Sequence, residues 1–196
     1  MIDQVGKCLH RPALFICDIQ EKFRKGIWEY EKVITTTQKM IKASDILHIP
    51  IFATTQNRAR LGETCAELSI PNAVEHADKL AFSMWIPSIS RHFNSATPSE
   101  VIIVGIESHI CVTQTTLDLL ANGHKVYVLA DGVSSCNPQE IPIALDRLRA
   151  AGAIVTTSES IIYEVMGGAR FKAIATLVKE SSVSTKDVMS TLLSKM

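Results

Sequence analysis

At 196 residues, 46% of them hydrophobic, the chain is long enough to build one sizeable core, burying roughly two-thirds of the surface its unfolded form would expose. Twenty Lys and Arg balance twenty Asp and Glu with no block of like charge, which removes the long-range field that draws proteins onto nucleic acid or anionic membrane and favours a small-molecule partner. No segment reaches the ~18 apolar residues of a membrane span, no apolar leader follows Lys7 and Arg11, and Cys8, Cys17, Cys65, Cys111 and Cys136 form no Cys-x-x-Cys pair, so a cytoplasmic protein with reduced thiols is expected.

In chain order, Ala13 to Cys17 (ALFIC) is a continuous apolar run, the pattern of a strand covered on both faces, and Asp18 closes it. Helical periodicity from about Val33 to Leu47 precedes Pro50 and a second apolar run, Ile51 to Ala53, which completes a βαβ unit. The pattern then weakens, and Ala73 and Val74 are the candidate for a short strand ahead of Lys79. Pro87 opens a short helix to Phe93, and Val101 to Val104 (VIIV) is the clearest buried strand, followed at once by Gly105. Cys111 to Ala121 reads as a helix stopped by Asn122 and Gly123, Lys125 to Ala130 as a strand, Ile141 to Ala151 as an amphipathic helix, and Ile154 to Thr157 as a last strand.

Strands alternating with helices predict a three-layer α/β sandwich in which helices cover both faces of a mostly parallel, roughly six-stranded, Rossmann-like sheet of order 3-2-1-4-5-6. One domain spanning residues 1–196 is expected, with 181–196 a polar, Ser-rich tail that packs loosely or at a subunit interface. No repeat, linker or low-complexity segment divides the chain.

Ligands of open parallel sheets bind beyond the carboxyl ends of the strands, where strand order reverses. Asp18 leaves the first strand, Lys79 lies between the second and fourth, and GIESHICV leads from the fourth strand into a helix whose first turn holds Cys111. Unpaired backbone N–H groups and the helix dipole stabilise a thiolate at such a position, and the thiolate is the nucleophile. Each residue alone has an ordinary reading: a buried structural thiol, a helix cap, a solvated lysine. Their combination at strand ends is what indicates chemistry.

Three stretches carry a resemblance. ALFICDIQEKF places Asp18, Gln20 and Phe23; DKLAFSM places Lys79, Phe82 and Ser83; VIIVGIESHICVTQT places Gly105, Ser108, Cys111, Val112 and Thr115. In order and spacing, from about Pro12 to Thr157, they resemble the isochorismatase-like cysteine hydrolases, which include nicotinamidases and N-carbamoylsarcosine amidohydrolases. Glu107, the phrase FSM and VTTSES bring the chain nearest to the isochorismatase domain-containing branch. The resemblance implies that Asp18 accepts the Cys111 proton, that Lys79 steadies both charges, and that the thiolate attacks an amide carbonyl. It further implies a cis peptide between Ile106 and Glu107, an oxyanion hole from the backbone N–H groups of Glu107 and Cys111, and a homo-oligomer, dimer or tetramer.

Departures from that family shape the rest of the reading. Nicotinamidases hold a metal with an Asp-x-His pair after the second strand; here ATTQNRARLG stands there, Thr54, Thr55 and Gln56 supply no ligand pair, and His76 is a lone imidazole, so no metal and no cofactor are expected. Glu107 would oppose a carboxylate substrate if it faced the pocket. Phe23, Phe82, Trp85, Ile106 and Glu107 are the candidate substrate-binding residues, with core packing the alternative for the aromatics. Two other functions stay in view: a non-catalytic, oligomeric or protein-interaction member of the fold, and a nuclease, which the neutral charge disfavours. A nucleotide-cofactor enzyme lacks its sign, since CDIQEKF rather than Gly-x-Gly-x-x-Gly follows the first strand.

Overall fold

A computed structural model describes residues 9–94, 96–166 and 170–193, so Lys7, Cys8 and the last three residues of the expected tail lie outside the described residues. Six strands form one sheet: β1 (Pro12–Cys17), β2 (Ile51–Gln56), β3 (Glu75–Lys79), β4 (Glu100–Ile106), β5 (Lys125–Ser134) and β6 (Ile154–Thr156). Their order is β3-β2-β1-β4-β5-β6 and every pairing is parallel, as expected from the alternating pattern. Strand order reverses at β1, which pairs with β2 on one side and β4 on the other.

The helices are α1 (Tyr30–Leu47), α2 (Arg58–Leu61), α3 (Pro87–Ser90), α4 (Thr113–Ala121), α5 (Glu140–Ala150), α6 (Ser158–Met166), α7 (Phe171–Glu180) and α8 (Ser182–Leu192). Because successive strand side chains point to opposite faces, each central strand serves two cores. Leu14 and Ile16 of β1, Ile102 and Val104 of β4, and Tyr127 and Leu129 of β5 meet α1, α6 and α7. Ala13, Phe15 and Cys17, with Val101, Ile103, Val126 and Val128, meet the helices of the other face. Burial on both sides is why these strands read as unbroken apolar runs.

Three segments differ from expectation. The strand ahead of the site is Glu75–Lys79 rather than Ala73 and Val74; it is a sheet edge with only Ala77 and Lys79 buried, held by backbone pairing to β2, so hydrophobicity does not mark it. β5 continues past Ala130 through buried Asp131 to Ser134, because Asp131 accepts hydrogen bonds from the Ser158 N–H (2.8 Å) and the Ser158 hydroxyl and so starts α6. The expected C-terminal tail contains α8, whose Val188 and Leu192 are buried and which packs on α1 and β5 of the same chain. No helix among the described residues is long and apolar enough to cross a membrane.

Candidate active site

The reversal of strand order sets the carboxyl ends of β1 and β4 side by side, with Cys17 paired to Gly105. The fit is tight enough to require glycine. Gly105 has φ 146°, and a Cβ there would lie 2.4 Å from the Cys17 carbonyl oxygen.

Asp18 follows directly in a left-handed conformation (φ 55°), which turns its side chain into the crevice, and it is 1% exposed. Its Oδ2 accepts a hydrogen bond from Lys79 Nζ at 2.6 Å, and its Oδ1 accepts one from the Thr54 hydroxyl at 2.7 Å. Lys79 arrives from the end of β3 and spends its remaining donors on Gln56 Oε1 (2.8 Å) and the carbonyls of Ala81 (3.2 Å) and Phe82 (2.9 Å). Burial pulls the ammonium towards its neutral form, but Cys17, Asp18 and Cys111 around it outweigh that effect and hold its pKa above the usual lysine value. It therefore remains a cation throughout the neutral range.

Cys111 sits in a single π-helical turn, Ser108–Val112, that leads into α4. Pi turns of this kind occur frequently at functional sites. Its frame is hydrogen-bonded throughout: the Ser108 hydroxyl donates to the Ser134 carbonyl at 3.0 Å, the Thr113 hydroxyl to the Ser108 carbonyl at 2.6 Å, and the Thr115 hydroxyl to the Cys111 carbonyl at 2.7 Å. Thr115 also accepts the Met84 N–H at 2.9 Å, which latches the loop after Lys79 to α4, the helix that follows Cys111. The peptide between Ile106 and Glu107, expected cis, is trans, as are all bonds among the described residues; positive φ at Gly105 and at Glu107 (57°) redirects the chain instead.

One member of the cluster escaped the sequence reading. Cys17 is fully buried, its thiol lies 3.6 Å from Asp18 Oδ2, and Cys111 is near enough to bear on its ionisation. The neighbouring Cys111 thiol, burial and the Asp18 charge together raise its pKa well above the usual thiol value against the opposing pull of Lys79. Cys17 is thus a protonated neighbour of the Asp18 carboxylate. Thr54 and Gln56, considered only as absent metal ligands, prove to be the groups that orient Asp18 and Lys79. Gln20 steadies the end of β2, accepting from the Gln56 N–H at 2.7 Å and donating to the Gln56 and Gly62 carbonyls. The signal for Cys17 was its position, one residue before Asp18 on a strand end that faces Cys111.

The candidate substrate residues do not form one wall. Phe23 packs against the core on the α1 side, and Ile106, 1% exposed, is buried in it. Trp85 packs on the opposite core, with ring centroids 5.6 Å from Phe93 and 5.1 Å from His124. Phe82 is half-exposed, and Glu107 turns its carboxylate to His109 and the Cys136 N–H. His76 shares a hydrogen bond with Thr64 at 2.9 Å.

Residues 12–160 match the Isochorismatase domain family. Among curated relatives, the secreted isochorismatase effector Isc1 of Phytophthora sojae is 41% identical over 87% of this chain and 86% of its own length. Human isochorismatase domain-containing protein 2 is 36% identical over 86% of this chain and 83% of its own. Among solved structures, the MAR1 ribonuclease of Caenorhabditis elegans superimposes with a TM-score of 0.80 at 38% identity, covering 89% of this chain and 92% of that one.

Proposed function

The chain belongs to the isochorismatase domain family of hydrolase fold, and from that premise we propose that it hydrolyses a small amide or related C–N bond through a covalent Cys111 intermediate. In this reading Asp18 removes the Cys111 proton, with Cys17, which neighbours both, fixing their separation. The thiolate adds to the carbonyl carbon, and the resulting oxyanion is met by the backbone N–H groups of Glu107 and Cys111 at the start of a helical turn, where N–H groups lack intrahelical acceptors. The C–N bond then breaks, and the proton held by Asp18 passes to the departing nitrogen. Water attacks the thioester, giving up a proton to Asp18, and release of the acid restores the Cys111 thiol. Lys79 keeps the carboxylate anchored throughout.

The buried Lys79–Asp18 pair beside the Cys111 turn carries this reading. A buried ion pair is a poor stabilising device compared with apolar packing, and perturbed titratable groups at strand ends cluster at functional sites. Self-association into a homo-oligomer belongs to the same proposal; Leu80, Phe82, Phe171 and Val183 are among the exposed apolar side chains available for it. Sedimentation as a single 21.5 kDa species would argue against it.

The test is intact-protein mass spectrometry and peptide mapping after incubation with a panel of small amides and thiol-directed electrophiles. Adducts should map to Cys111, and Cys111→Ser should lower amide hydrolysis by roughly a thousandfold or more. No Cys111-dependent hydrolysis across the panel, together with unselective labelling, would sink the proposal. RNA cleavage that co-purified with the protein and disappeared in Cys111→Ser would replace it with a nuclease.

A further inference from the structure

Outside the Asp18, Lys79 and Cys111 group, the described residues contain two trios of metal-donor side chains, Glu21, Cys65 and Glu67, and Glu107, His109 and Cys136, each with donor atoms within 4.8 Å of one another. The first already holds a cation. Arg24 binds Glu21 and Glu67, both at 2.7 Å, and the Cys65 thiol is in contact with the Tyr30 hydroxyl at 2.8 Å. The second differs in kind: among the described residues no Lys or Arg pairs with Glu107, whose ion contact is the His109 imidazole at 3.5 Å.

We propose that Glu107, His109 and Cys136 form a binding site for a zinc-class divalent transition metal at the edge of the nucleophile turn. Imidazole nitrogen, thiolate sulfur and carboxylate oxygen are the donors such ions select, and three protein ligands leave a fourth position open. Spacing agrees. Two nitrogen or oxygen donors about 2.0–2.1 Å from a tetrahedral ion stand roughly 3.4 Å apart, against the 3.5 Å between Glu107 Oε2 and His109 Nδ1.

The backbone also makes the trio a consequence of the sheet. Glu107 and His109 follow β4, Cys136 follows β5, and the last paired residues of those strands, Ile106 and Ser134, are in register. The Cys136 N–H lies 3.4 Å from Glu107 Oε2, an outer-shell donor that orients the carboxylate. Cys136 is exposed, which leaves an entry path, and Glu107 and His109 are partly buried. Binding would release the Cys136 proton and exchange the 3.1 Å hydrogen bond between His109 Nδ1 and the Ser135 hydroxyl for a metal bond. This site is separate from the end of β2, where Thr54, Thr55 and Gln56 bond to other protein groups. A metal here would fix the turn that supplies the oxyanion N–H groups; that consequence rests on the proposed hydrolase, whereas the binding itself does not.

The experiment titrates the full-length protein with cobalt(II) chloride under a non-thiol reductant and reads absorbance, so hydrolysis plays no part in it. One equivalent should produce a near-ultraviolet thiolate-to-cobalt charge-transfer band and the intense visible absorption of a tetrahedral ion, both displaced by zinc chloride. Cys136→Ser should remove the charge-transfer band, His109→Ala and Glu107→Gln should each weaken binding by at least about tenfold, and Cys111→Ser should leave the spectrum intact. Circular dichroism would establish that each variant is folded, and the three independent ligand variants keep the test decisive if one is not. A wild-type protein without the band, or a band that survives in Cys136→Ser or vanishes in Cys111→Ser, overturns the assignment.

Discussion

Replacing Lys79 with methionine keeps most of the side-chain volume and removes the charge. The ammonium and the Asp18 carboxylate have side-chain exposures of 0% and 1%, so solvent cannot take over the role of either partner. Lys79→Met leaves Asp18 with the Thr54 hydroxyl but without its cation, and it strips a donor from Gln56 Oε1 and from the Ala81 and Phe82 carbonyls. Breaking a buried pair from one side costs about 3–5 kcal/mol. With a urea m-value of about 2–3 kcal/mol/M, the midpoint should fall by roughly 1–2.5 M. Asp18→Asn placed in the Lys79→Met background removes the stranded charge, so the double variant should be more stable than Lys79→Met alone. The pH dependence has a definite sign. The folded pKa of Lys79 lies above its unfolded value of about 10.4, so the linked stability is fully present below that value and is lost as pH rises through the folded pKa. The gap between wild type and Lys79→Met should therefore stay flat from about pH 7 to 9. A Lys79→Met variant within about 1 kcal/mol of wild type, or a double variant showing simple additivity, would refute the reasoning.

Two further outcomes follow from other parts of the structure. Gly105→Ala places a methyl 2.4 Å from the Cys17 carbonyl oxygen and 2.5 Å from its Cβ, both on a rigid central strand, and should cost more than about 2 kcal/mol or prevent soluble expression; urea denaturation within about 0.5 kcal/mol of wild type would contradict the close approach of β1 and β4. His124 is held towards its neutral form by burial and by Arg11, and its Nδ1 accepts the Ser99 N–H at 3.1 Å. Its folded pKa is depressed, so its contribution to stability is present above the unfolded value of about 6.5 and is lost as pH falls from there to the folded pKa. Heteronuclear NMR titration should give an apparent His124 pKa below 6.5, and a value at or above 6.5 would contradict the assignment.

Much of this architecture was legible in the chain itself because the central strands are buried on both faces. ALFIC and VIIV have no polar interruption, and in a right-handed α/β chain such runs alternating with amphipathic helices leave few sheet orders to consider. The positions of Asp18 and Cys111 at strand ends followed from the same pattern, whereas that pattern locates Lys79 only between the second and fourth strands. What the pattern missed lies where burial is one-sided or polar: β3 at the sheet edge, the continuation of β5 through Asp131, and the helices beyond Thr157.

By itself, then, the sequence determined which segments must be covered on both sides and which reactive side chains terminate them. Only the tertiary structure decided how those ends meet. Cys17 became a neighbour of Cys111, Thr54 and Gln56 became the supports of Asp18 and Lys79, and Glu107 turned towards Cys136 instead of joining Phe23 and Trp85. The reason is physical. Periodicity records the average environment of a segment, whereas hydrogen bonds between residues 23 to 61 positions apart depend on register and backbone direction, which are set when parallel strands lock together at the β1–β4 junction.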